Sequence, residues 1–251
     1  MDKKTIALNF SRYAYTYDTY ADAQRKVAFE LLSWLKKDRF KRIMEVGCGT
    51  GAVLADYSKK PSYLTFGLDI ENSALYFSQK EDLKAILICG DAIALPFANS
   101  SFDLTFCHYL LLWLKDPLSA LKDMKRVTKP GGTVCAFAEP DYGRRIAYPA
   151  ELEKITDLQT QSLIQQGANP NMGRQLRHLF TEAGMSKVQA GVLAAEWHEN
   201  SVSLETEMEI INNDLALLEK KEHSTEIFDN SQFPKDCIYF IPTLYACGQV
   251  N

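Results

Sequence analysis

The sequence predicts an α/β fold on a doubly wound, mostly parallel β-sheet, and three observations carry that expectation. Five short apolar runs between residues 42 and 138 alternate with segments of helical spacing, which requires crossover connections and helices on both sheet faces. The first run, Ile43, Met44 and Val46, passes straight into Gly47, Gly49 and Gly51 before an apolar pattern resumes at Val53 and Leu54. That is a buried strand, a tight turn and a helix start. Finally, Glu45, Asp69, Asp91, His108 and Glu139 all fall at or near the carboxyl ends of the predicted strands, the side on which such sheets bind ligands.

Taken in order, residues 1–20 are rich in tyrosine (Tyr13, Tyr15, Tyr17, Tyr20) and show no clean period. Residues 21–37 place Val27, Leu31, Trp34 and Leu35 on one helical face. After the glycine turn, residues 63–69 form a strand ending in Asp69, and residues 71–79 a short helix. Residues 85–91 and 101–108 are further strands, ending in Asp91 and His108. Asp116-Pro117 opens a helix well, with an acid at the cap and proline in the first turn. Leu118, Leu121, Met124 and Val127 continue it, Pro130-Gly131-Gly132 breaks it, and residues 133–138 form the fifth strand.

Residues 142–173 interrupt this rhythm with a polar segment, helical over 151–166. A helix over 174–183 stops at Gly184, a strand follows over 187–197, and a second amphipathic helix covers 201–221. Residues 235–250 hold a final strand containing Pro242, so that strand is expected to be bent or at an edge.

The net charge of -4 argues against a broad electrostatic footprint for nucleic acid. No apolar run is long enough to span a bilayer, and residues 1–8 lack the apolar core of a signal peptide. The six cysteines (48, 89, 107, 135, 237, 247) include no C-x-x-C pair, which predicts reduced buried thiols, no structural zinc and a cytoplasmic protein.

Gly47, Gly49 and Ala52 satisfy G-x-G-x-x-G/A, so a dinucleotide cofactor and an oxidoreductase are one reading. Two features favour a different adenosine ligand. Glu45 stands two residues before the first glycine, where a dinucleotide site usually keeps an apolar residue. A second acid, Asp91, is followed by Ala92 and sits at the end of the third strand. One acid at a ribose and another near an adenine amino group fit a ligand without a pyrophosphate, and acids suit a cation better than a phosphate bridge.

The segments E-V-G-C-G-T-G (45–51), G-L-D-I (67–70), G-D-A-I-A-L-P-F (90–97), S-F-D-L-T-F (101–106) and D-P-L-S-A-L-K-D-M-K-R-V-T-K-P-G-G (116–132) together resemble the class I S-adenosylmethionine-dependent methyltransferases, of the type 11-like small-molecule group, over roughly residues 40–140. The shorter N-F-S-R-Y-A-Y-T-Y-D (9–18) is similar to the start of malonyl-acyl-carrier-protein methyltransferases. The part after Asp141 does not look like that subfamily.

The resemblance implies a single Rossmann-like domain whose last strand runs antiparallel. It divides into an N-terminal helical lid (1–38), a cofactor-binding core (39–141), a helical insertion covering the substrate (142–173) and a C-terminal part of the sheet (174–251). It implies that Gly47, Gly49 and Gly51 line the methionine portion of S-adenosylmethionine, with Glu45 close behind. Asp69 would accept hydrogen bonds from the ribose hydroxyls and Ile70 would pack on the adenine. Asp91 would bind the adenine amino group, with Ala92 beside it. His108 would border the methyl group. Tyr17 and Arg12 would close over the cofactor; packing of this aromatic piece on the core is the alternative.

The expected reaction is methyl transfer to a small-molecule acceptor, with a non-catalytic cofactor-binding protein of the same fold as a further alternative. A base is needed only if the acceptor must lose a proton. The candidates are His108, Glu139, Asp141 and Tyr142, of which His108 has the most suitable ordinary pKa. Glu139 and Asp141, two apart at a strand end, share a direction if the strand is regular and then orient substrate or hold a metal; capping a turn is the structural alternative. Arg144, Arg145, Tyr148, Asn171 and Arg174 are candidates to recognise an acidic or acyl-carrier-bound acceptor.

Overall fold

The computed structural model describes residues 40–80, 83–193, 211 and 238–251. The expected lid and helix over 1–38, with Arg12 and Tyr17, lie outside these residues, as does nearly all of the helix expected over 201–221.

The first half of the chain builds a parallel sheet. Strand β1 (Arg42–Val46) leads through the glycine turn to α1 (Ala52–Ser58). Then come β2 (Leu64–Asp69), α2 (Asn72–Lys80), β3 (Ile86–Cys89) and β4 (Phe102–His108). Helix α3 (Pro117–Val127) and β5 (Thr128–Pro140) follow. The remaining elements are β6 (Ile146–Tyr148), α4 (Ala150–Gln165), α5 (Leu176–Glu182), β7 (Ser186–Leu193), β8 (Ile238–Phe240) and β9 (Thr243–Gln249).

The seven-stranded order is β3-β2-β1-β4-β5-β9-β7. The chain runs outward from β1 to β3, then returns to place β4 on the other side of β1. The topological switch therefore lies between β1 and β4, where the glycine turn leaves the sheet. Pairings from β3 through β5 are parallel, while β9 runs antiparallel to both β5 and β7.

Each element follows from its pattern. Strand β1 is covered on both faces, so Ile43, Met44 and Val46 are all fully buried. Helix α3 buries Ala120, Leu121, Met124 and Val127. Asp116 Oδ1 accepts the Ser119 N–H at 2.9 Å as its cap. Where α3 meets β5, the buried Thr128 hydroxyl lies 2.7 Å from both the Met124 carbonyl and the Thr105 hydroxyl.

Two cores result. One packs Met44, Leu68, Phe102, Leu121, Val134 and Phe180 together with the α3 and α5 faces. The other joins Ile43, Val53, Tyr57, Phe106 and Phe137 on the α1 side.

The last expected strand divides at Ile241-Pro242. Residues 238–240 pair with β6 in a separate two-stranded sheet, and 243–249 enter the main sheet. Proline cannot donate to a ladder, so the chain changes sheets there. The bend is as expected. The edge alternative is corrected: β9 is an interior strand, hydrogen-bonded on both sides.

Asp103 closes the amino end of the sheet. Its Oδ2 accepts the Lys41 and Arg42 N–H groups at 2.9 and 2.8 Å, and its Oδ1 pairs with Lys129 Nζ at 2.6 Å. Burial pushes this carboxyl up, but Lys129 and the two main-chain donors outweigh it and hold it below the usual value of 3.8. A depressed folded value stabilises the native state above the unfolded value, and the benefit is lost as pH falls through the folded one. Asp103→Asn is therefore expected to cost about 1–2 kcal/mol at neutral pH. In urea titrations that gap should shrink as pH drops below 3.8.

Candidate functional site

The glycine turn folds back on β2. Gly47 and Cys48 both donate their N–H to the Leu68 carbonyl, at 2.7 and 3.0 Å. Gly47, Gly49 and Gly51 take φ of 74°, 51° and 81°, a region costly for residues with a Cβ. A Cβ on Gly47 would also lie 2.7 Å from the Leu110 side chain. Gly49 is different: it is buried, yet nothing lies within 4 Å of where its Cβ would stand. The middle of the turn therefore leaves room for a close approach on its Cβ side.

Asp69 ends β2 beside this space. Its Oδ2 accepts the Gly49 N–H at 2.8 Å and its Oδ1 accepts the Glu71 N–H at 2.9 Å. Burial pushes the carboxyl above 3.8, against the pull of those main-chain donors. A carboxylate has about four acceptor positions, so this group can take further donors while holding the loop. Ile70, the next residue, is 44% exposed and offers a bare apolar surface.

Asp91 lies two residues past the β3 partner of Asp69. Its Oδ1 accepts the Ile93 N–H at 3.2 Å and its carbonyl accepts the Ala94 N–H at 3.1 Å. Ala92 is buried beneath this small turn. Glu45, within β1, is 2% exposed. Burial pushes the Cys48 thiol far up, and the negative charges of Glu45 and Asp69 add to the effect.

His108 is the half-buried last residue of β4. Tyr109 follows with φ of 52°, a left-handed conformation that is uncommon for a bulky side chain. Its hydroxyl is 2.8 Å from that of Tyr142.

Glu139 is corrected as a catalytic candidate. Between Ala136 and Glu139 the β5–β9 register gains one residue, and Ala138 sits at φ of 57°. Such a bulge flips the following side chain to the other face. Glu139 is consequently fully buried and accepts the N–H groups of Leu110, Leu111 and Leu112 at 2.9, 2.7 and 3.1 Å. It caps the 3₁₀ turn at 111–113 and holds Leu110 against the glycine turn, which makes it a positioning residue rather than a base.

The paired use of Glu139 and Asp141 is corrected too, because the two acids diverge. Asp141 accepts both Nε (2.8 Å) and Nη2 of Arg174. Arg145 is likewise engaged, by Asp157 and by the Thr160 hydroxyl at 2.6 Å, and Asn171 accepts the Gly143 N–H. These residues fasten the insertion to itself and to the end of β5. Arg144 and Tyr148 are exposed. Among the described residues, no cluster of three or more His, Cys, Asp or Glu could hold a metal.

The structure thus gathers Glu45, Gly47, Gly49, Gly51, Asp69, Ile70, Asp91, Ala92 and His108 at the carboxyl ends of β1 to β4. Sequence reasoning missed Leu110 and Tyr109, for which no local pattern gives a signal. It also missed Asp123 and Arg126 on α3, which bind the loop carrying Asp91.

A family model described as a methyltransferase domain matches residues 44–136. The chain is 36% identical over 163 residues to an uncharacterised methyltransferase of Schizosaccharomyces pombe, covering 59% of this chain and 56% of that one. It is 31% identical over 134 residues to the malonyl-[acyl-carrier protein] O-methyltransferase of Erwinia pyrifoliae, covering 53% and 51%. The chain spans about half the length of the curated relatives it matches. In fold it is similar to phosphoethanolamine N-methyltransferase 2 of Haemonchus contortus, solved with phosphomonomethylethanolamine and S-adenosylhomocysteine. That likeness has a TM-score of 0.64 at 15% identity and covers 96% of this chain and 58% of that one.

Burial pushes the Glu139 carboxyl from 4.5 up to about 7, against its three main-chain donors. As pH rises from 4.5 to 7 the unfolded chain releases this proton first, so the native state loses stability across that window. Glu139→Gln should remove this contribution and flatten stability between those pH values in urea titrations. Glu139→Ala, which strands three buried N–H groups, is expected to cost about 2–4 kcal/mol.

Proposed function

We propose, on the methyltransferase-domain match over residues 44–136, that the chain is an S-adenosylmethionine-dependent enzyme that transfers a methyl group to a small-molecule acceptor. The observation that carries this reading is the Asp69–Gly49 hydrogen bond beside the room left on the Cβ side of Gly49. It places an acid and an open glycine turn together at the topological switch point. When bound, the cofactor supplies a methyl group activated on a positively charged sulfonium.

Around it, Gly47, Gly49 and Gly51 line the amino-acid portion, and Asp69 accepts from the ribose hydroxyls. Ile70 lies on the adenine, and Asp91 with Ala92 meets its edge. His108 borders the methyl group and takes the proton of an acceptor that must lose one. Alignment of the acceptor behind the methyl and exclusion of water supply much of the rate.

The acceptor faces the insertion, where Arg144 and Tyr148 remain exposed to meet it. The acyl-carrier relatives support testing an acyl-carrier-bound acid early among acceptors. Among the described residues no helix is long and apolar enough to cross a membrane, and we place the reaction in the cytoplasm.

Titration calorimetry with S-adenosylhomocysteine tests the cofactor assignment. The full chain should bind it in the micromolar range and give no heat with NAD. Asp69→Ala should abolish binding, since it removes both the ribose acceptor and the anchor of Gly49. Binding of NAD, or an unchanged affinity in Asp69→Ala, would overturn the reading.

A further inference from the structure

The loop from Gly90 to Ser101 carries Asp91 and Ala92 and joins β3 to β4. Within the loop the Ala94 N–H reaches the Asp91 carbonyl, the Ile93 N–H the Asp91 carboxylate and the Phe97 N–H the Leu95 carbonyl, and further fastening comes from helix α3. The contact is concentrated on two side chains one turn apart. Asp123 Oδ2 accepts the Leu95 N–H at 2.6 Å. Arg126 Nη2 donates to the Leu95 carbonyl at 2.9 Å, and its Nη1 donates to the Phe97 carbonyl at 2.7 Å and to Asn99 Oδ1 at 3.0 Å. The two side chains also grip each other, Nε to Oδ1 at 2.6 Å and Nη2 to Oδ2 at 3.0 Å.

Leu95 is therefore held at both its N–H and its C=O by one ion pair, three residues beyond Ala92. The Ser100 N–H returns to the Arg126 carbonyl at 3.0 Å, so the loop is fastened at its far end too. Leu95 is 4% exposed, and Phe97 sets its ring edge-on to Phe66 and Phe102, at centroid distances of 6.0 and 4.9 Å. All three guanidinium nitrogens are in use. A lysine ammonium is a single point of donation and cannot span two carbonyls and a carboxylate in one plane. Burial pushes the Asp123 carboxyl up, but Arg126 and the Leu95 N–H outweigh it and keep it ionised.

We infer that the Asp123–Arg126 pair is a positioning device for the adenine side of the cofactor site, holding the loop so that Asp91 and Ala92 meet the base edge. The inference rests on the cofactor reading proposed above. It extends the site to a helix that supplies no group to the ligand. Without the clamp, the loop keeps its apolar anchors at Leu95 and Phe97 but loses the restraint on its backbone. Discrimination at the adenine edge then suffers more than burial of the ring.

The test compares S-adenosylhomocysteine with S-inosylhomocysteine, in which an oxo group replaces the adenine amino group. Calorimetry is run on the full-length wild type, Arg126→Lys, Asp123→Asn and Arg126→Ala, with Asp103→Asn as a control destabilised at the opposite end of the sheet. The wild type should prefer the adenosyl ligand. Arg126→Lys and Asp123→Asn should weaken its binding about tenfold, the size of one lost hydrogen bond to a charged group, and bring the preference toward one. The control should melt lower and keep the wild-type preference.

Clamp variants that melt lower yet retain the full preference would show a merely structural pair and overturn the inference. If Arg126→Ala does not fold, the two conservative variants still decide. A wild type that binds neither ligand would sink the cofactor reading, and the clamp's role with it; binding with unchanged preference in the variants sinks only the clamp.

Discussion

Asp69 accepts one main-chain N–H from Gly49 at 2.8 Å and another from Glu71 at 2.9 Å, so one carboxylate fixes the loops after β1 and β2 together. The arrangement has a cost, since burial raises the carboxyl's pKa. It is tolerated because the donors are main-chain groups that would otherwise lack partners in a turn of positive φ. A glycine at position 49 leaves the space above the turn clear. The same acid therefore fixes the turn that borders this space.

A second acid does comparable work from the other side of β1. Glu139 holds three consecutive N–H groups at 110–112, and Leu110 in turn packs where a Cβ on Gly47 would be. The glycine turn is thus braced by Asp69 from β2 and, through Leu110, by Glu139 from β5. Arg126 and Asp123 brace the third loop from beneath. The ligand end of the sheet consists of short irregular loops. Their backbone groups are satisfied by charged side chains anchored in regular elements, which suits a site that must be rigid while open.

Much of this was legible in local sequence. The glycine turn, the acids at the strand ends, the Asp116 cap and the stop at Gly184 depend on neighbours within a few residues, and each is where its pattern places it. What was not legible depends on distant partners. Strand β6 is only three residues long and exists because residues 238–240 reach it. The interior place of β9 follows from which strands it pairs with, and Pro242 marks only the break before it. Glu139 reads as a strand-end acid open to substrate, and only the bulge at Ala138 turns it inward. Arg174 and Arg145 read as free cations until Asp141 and Asp157 are seen beside them.

The central claim is that the space over Gly49, bounded by Asp69 and Ile70, is shaped for adenosine carrying a charged sulfur amino acid. A crystal structure of the chain grown with S-adenosylhomocysteine measures this directly. The account predicts the ribose hydroxyls on the Asp69 carboxylate, the amino-acid end over Gly49 and the Gly49–Asp69 hydrogen bond intact. Ligand density elsewhere, or a hollow closed by the protein's own side chains with Asp69 turned away, would contradict it.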